Sequence, residues 1–64
     1  MQHPNLWLAR KVCQKANEVR LVDPYRFKCC RLELRTITKA APLWELPTRT
    51  LRHLFNRYHG LLYR

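Results

Sequence analysis

The chain is 64 residues long and carries 13 Lys and Arg against four Asp and Glu, a formal charge of +9 at pH 7. That length holds one domain at most and buries only about 60% of the surface its unfolded form exposes, so the fold is marginal unless a disulfide, a metal, a second subunit or a host assembly adds to it. Apolar residues such as Trp7, Phe27, Trp44 and Phe55 exclude a disordered polycation, and no stretch reaches the ~18 consecutive apolar residues of a membrane span.

The N-terminal segment has no apolar run long enough for a secretory signal, which points to a soluble, intracellular protein or a subunit of an intracellular particle. Pro4 keeps the approach extended and Asn5 is placed to cap a first helix. Leu8, Val12, Ala16 and Val19, flanked by Ala9 and Cys13, form a stripe at helical spacing. Arg10, Lys11, Gln14, Lys15, Asn17 and Glu18 take the wet side. The pattern predicts a helix over residues 6–20, with Trp7 off the stripe's centre, at the core edge or against a partner.

Asp23-Pro24 is a helix start with a mechanism: the carboxylate accepts orphan amides and proline loses nothing at the first position. The next residues read two ways. Tyr25, Phe27 and Cys29 alternate with Arg26 and Lys28 as a strand would, but Cys30, Leu32 and Leu34 alternate in the opposite phase. As a helix, Phe27, Cys30, Leu34 and Ile37 line up at spacings of three and four. The only glycine is Gly60, and no Asn-Gly or Asp-Gly pair closes a tight hairpin, so the reading is a helix over residues 24–36.

Pro42 and Pro47 bracket a connector with room for about one helical turn. Trp44 and Leu46 are expected to pin it to the core, and Thr48 to cap the last helix. That helix, residues 48–60, is amphipathic, with Leu51, Leu54, Phe55, Tyr58 and Leu62 on one side. Arg49, Arg52, His53, Asn56 and Arg57 fall on the other, and no acid occurs from Leu46 onward. The expected architecture is a small all-α domain of three helices with a short helical turn before the last.

Residues 38–58 resemble the C-terminal helix-turn-helix of the Fis family, a module shared with NtrC-type activators. Thr38, Ala40, Ala41, Leu43, Trp44, Leu46, Thr50, Leu51, Arg52, Phe55 and Tyr58 fall in register with that pattern without a gap. The resemblance implies that Thr38 and Lys39 meet the DNA backbone and that Thr50, Arg52 and Arg57 meet bases or phosphates. Arg49 stands where the family residue varies. The chain departs from the pattern at Pro42, at Glu45 in place of the turn glycine, at Pro47 in place of the cap, and at Leu54.

A basic excess of this size repels itself in a compact state and is usually resolved by a polyanion. The expectation is nucleic-acid binding by Lys39, Arg49, Thr50, Arg52, His53, Asn56 and Arg57, with duplex DNA favoured and RNA possible. The partner set includes a second copy as a homodimer or a larger assembly, and the alternative reading is a structural RNA-binding subunit of a ribonucleoprotein. Enzymatic activity is not expected: there is no serine and the four carboxylates are scattered. Nor is a metal or cofactor. Cys29 and Cys30 are adjacent rather than C-x-x-C, and His53 and His59 stand outside zinc-finger spacing. Three cysteines, an odd number, read as half-buried free thiols. Trp7, Trp44, Phe55 and Tyr58 occupy core spacings.

Overall fold

A computed structural model describes residues 4–63. The chain folds into three helices, α1 (Pro4–Val22), α2 (Pro24–Thr38) and α3 (Thr48–Leu62), with a three-residue 3₁₀ turn at Leu43–Glu45. No strand occurs among the described residues, so the small all-α domain read from the sequence is the fold. α1 runs two residues past its expected bounds at each end, whereas α2 and α3 begin where expected and end two residues later.

α1 begins at Pro4, and Asn5 lies inside its first turn instead of capping it. The Asn5 amide donates to the Leu46 carbonyl at 3.0 Å, and its carbonyl oxygen accepts from the Thr48 hydroxyl at 2.7 Å. A proline in the first turn needs no donor of its own, and Asn5, inside that turn, clasps the turn before α3. Thr48, read as a cap, is the first residue of α3. The capping position belongs to Pro47, with no side-chain bond.

A single residue joins α1 to α2. Asp23 is extended (φ −149°, ψ 91°) and its carboxylate accepts from the Arg26 amide at 3.2 Å, as its sequence position predicts. Its own amide still donates to the Val19 carbonyl at 2.8 Å, so it closes one helix and opens the next. The strand-like alternation of residues 25–34 has no ladder to join. Cys30 is buried, and Phe27, Leu34 and Ile37 pack beside it on the stripe that helical spacing marks. At the other end, the Thr36 and Thr38 hydroxyls donate back to the Leu32 and Leu34 carbonyls.

α1 pairs most extensively with α3 and next with α2. Asn5 meets the start of α3 and Lys15 meets its later turns, so α1 and α3 run side by side in one direction. Val12, Val19, Leu51 and Tyr58 are the fully buried side chains at the centre. Ala9 and Ala16 let the helices approach closely there. Burial of a side chain such as Leu51 stabilises the fold by about 1.5–3 kcal/mol.

The connector is pinned by Leu43, which is buried, with Leu46 half-buried. Trp44, expected to do this, is 44% exposed, and Trp7 is 63% exposed, so neither tryptophan is core. In a 3₁₀ turn residues three apart eclipse, so Leu43 and Leu46 share the inner side and Trp44 between them faces out. Where the Fis-type pattern has the first helix of its pair, this chain has a turn over residues 39–42 followed by the 3₁₀ turn. No described residue has a positive φ, so Glu45 sits unstrained at the glycine position of that pattern.

Candidate nucleic-acid interface

Successive residues of a helix step by about 100°, which divides the predicted residues of α3 between two directions. Arg49, Arg52, His53 and Asn56 share one outward arc and are all exposed. Thr50 and Arg57 lie on the flank that faces α2; Thr50 is half-buried and Arg57 exposed. Lys39 is exposed in the turn after α2, apart from the arc. The fold therefore brings four of the seven together and sets three aside.

Arg57 is not an uncompensated charge. Its guanidinium donates to one carboxylate oxygen of Glu33 on α2, and the buried Tyr58 hydroxyl donates to the other at 2.8 Å. Arg31 and Arg35 flank Glu33 on its own helix, but its ion pair is with Arg57, a partner 24 residues away that helical spacing does not reveal. Burial, with the Glu33 hydrogen bond and charge behind it, pushes the Tyr58 phenol well above its ordinary range. Arg49 and Arg52 make no ion pair among the described residues.

The flank of α3 that faces α1 carries groups the sequence reading did not select. Phe55, His59 and Tyr63 form a ladder one helical turn apart, with centroids 5.7 Å and then 4.6 Å apart. The Lys15 ammonium lies 5.9 Å from both the Phe55 and Tyr63 rings, and Lys11 lies 5.4 Å from Trp7. The spacing of four between these aromatics was the available signal. Glu18 is the acid on this side, in ion contact with Lys15 at 3.2 Å. Hydrogen bonds from Gln14 and then Lys15 hold its carboxyl below the ordinary range.

Cys13 and Cys29 are exposed and Cys30 is buried, all as free thiols. Partial desolvation beside its neighbours raises the exposed Cys13 thiol and burial raises that of Cys30, so neither is an activated nucleophile. No group of three or more His, Cys, Asp or Glu that could hold a metal occurs among the described residues, and no helix there is long and apolar enough to cross a membrane.

Comparison with known proteins gives no match. No family model, curated protein or solved structure is similar to the chain.

Proposed function

We propose that the chain binds nucleic acid, duplex DNA in preference to RNA, through the outward arc of α3, acting as a regulator or architectural protein. The carrying observation is that Arg49 and Arg52 are exposed side by side with His53 and Asn56 on a helix free of acids, and neither arginine is paired within the described residues. A 15-residue helix is about 22 Å long, and a major groove about 12 Å wide admits one. In this reading Arg49, Arg52, His53 and Asn56 meet base edges or phosphates, and Lys39, Thr50 and Arg57, off that arc, are left to contact flanking phosphates. The Fis-type register of Thr50, Leu51 and Arg52 supports the same role for α3.

A second reading, an RNA-held subunit of a larger assembly, is favoured by a different observation. Arg10, Arg20, Lys28, Arg31 and Arg35 are exposed on α1 and α2 as well, which spreads the charge around the molecule.

Titration of the chain against duplex DNA and structured RNA at two salt concentrations separates the two. Duplex affinity is expected to fall steeply with salt as counterions are released. Arg52→Ala is expected to weaken duplex binding by about 1–3 kcal/mol. An unchanged duplex affinity in that variant removes α3 as the reading surface, and tighter binding to structured RNA at both salts favours the assembly subunit.

A further inference from the structure

Away from α3, Trp44 stands between two adjoining grooves. One, of about 790 Å³, runs along α1 past Leu6, Arg10, Cys13 and Leu21 to Leu43 and Trp44. The other, of about 590 Å³, lies between α1 and α2 over Phe27, Leu34 and Pro42, with Arg31 and Arg35 at its wall. Cys13, Asn17, Leu43 and Trp44 line both, so the two are one surface divided by an indole. The fold leaves this apolar surface open: Leu21 is 84% exposed and Trp44 44%.

We infer that this surface docks an amphipathic helix of a partner protein whose polar face is acidic. Shape supplies the first argument. Leu6 to Leu21 extends about 22 Å along α1, the length of a short helix of about four turns, and a helix laid in a groove places its apolar side chains every third and fourth position. Trp44 then inserts between two successive turns of the docked helix. A half-exposed tryptophan flanked by apolar hollows is the kind of anchor that dominates such interfaces.

Charge supplies the second argument and selects the occupant. Arg10, Arg31 and Arg35 are exposed at the grooves, and none makes an ion pair among the described residues. Glu18 and the neighbouring Glu45 are the acids nearby, and Glu18 is engaged by Lys15. A second copy of a +9 chain brings like charge to this rim. An acidic helix brings the complement, and its glutamates lie over the arginines while its leucines enter the hollows.

The test uses the full chain and a synthetic peptide of about 18 residues, with leucines at every third and fourth position and glutamates elsewhere. Two double variants have equal net charge: Arg31→Glu with Arg35→Glu at the groove, and Arg49→Glu with Arg52→Glu on α3. The peptide is expected to bind the α3 variant like the parent chain and the groove variant about tenfold or more weakly. Equal weakening in both means attraction to net charge alone and overturns the inference. Site-resolved alkylation by iodoacetamide gives the second readout. Saturating peptide is expected to slow Cys13 several-fold and leave the exposed Cys29 unchanged. No protection of Cys13, equal protection by a lysine-for-glutamate peptide, or protection by duplex DNA or by dimerisation of the chain each overturns the acidic-helix assignment. Loss of DNA binding in the α3 variant reports on the α3 reading alone, so the two proposals fail separately.

Discussion

Tyr58→Phe removes one oxygen from the centre of the protein and tests the bond that ties α3 to α2. The Tyr58 side chain has no exposed surface, and its hydroxyl donates to a Glu33 carboxylate oxygen at 2.8 Å. A hydrogen bond to a charged acceptor contributes about 1.5–3 kcal/mol. Glu33 is only half-buried and keeps Arg57, so the lower end, about 1.5 kcal/mol, is expected near pH 8. For a domain of this size that corresponds to a fall in Tm of about 6–12 °C. The pH profile gives a sharper signature. The folded state holds the Tyr58 proton above the ordinary phenol range, whereas the unfolded chain releases it near 10. Above that pH the unfolded state binds fewer protons, so the parent chain loses about 1.4 kcal/mol per pH unit that the phenylalanine variant does not. Cys30, whose thiol is raised mainly by burial, is common to both chains and subtracts out. Thermal melts followed by circular dichroism should therefore show the gap between the two closing near pH 11. Parallel stability curves from pH 8 to 11 would refute a Tyr58 proton held by burial and Glu33.

Two local contacts are testable by the same melts. Asn5→Ala removes the bonds to Leu46 and Thr48 and is expected to cost about 1–2 kcal/mol, with Tm lowered by roughly 4–16 °C. A loss no greater than that of an exposed control such as Asn17→Ala would mean the clasp is idle. Asp23→Ala leaves the Arg26 amide without its carboxylate acceptor and breaks the 3.2 Å contact with the Arg26 side chain; a loss of about 0.5–2 kcal/mol is expected in urea titrations.

What the sequence made legible is what short-range physics decides. Asp23-Pro24 marks a helix start because cap and proline act within one turn, and the stripes through Val12 and through Cys30 follow from a period of 3.6. The misreadings share a different cause. Asn5 was given a local role, but an acceptor and a donor 41 and 43 residues away outcompete its own amides. Glu33 has arginines on either side of it in sequence, yet it reaches Arg57 and Tyr58 on another helix. Hydrophobicity favours Trp44 for the core, whereas the eclipsed geometry of a 3₁₀ turn selects Leu43 and Leu46. At the candidate interface, composition gave the exposed Arg49, Arg52, His53 and Asn56. The tying of Arg57 and the lysine–aromatic contacts between α1 and α3 required the packing of separate helices.

The pairing of α1 with α3 also constrains how the chain reaches this state. Its most extensive helix interface joins the first helix to the last, in the same direction, and its clasp at Asn5 closes on Leu46 and Thr48. An α1–α2 hairpin forms first in chain order, but it leaves the Val12 and Val19 stripe without Leu51 and Tyr58 against it. Closing a loop of about forty residues precedes any return from that core, so the ordering entropy falls early and the gain arrives late. A chain cut before α3 is therefore expected to leave the Val12 and Val19 stripe uncovered and to show no cooperative melt.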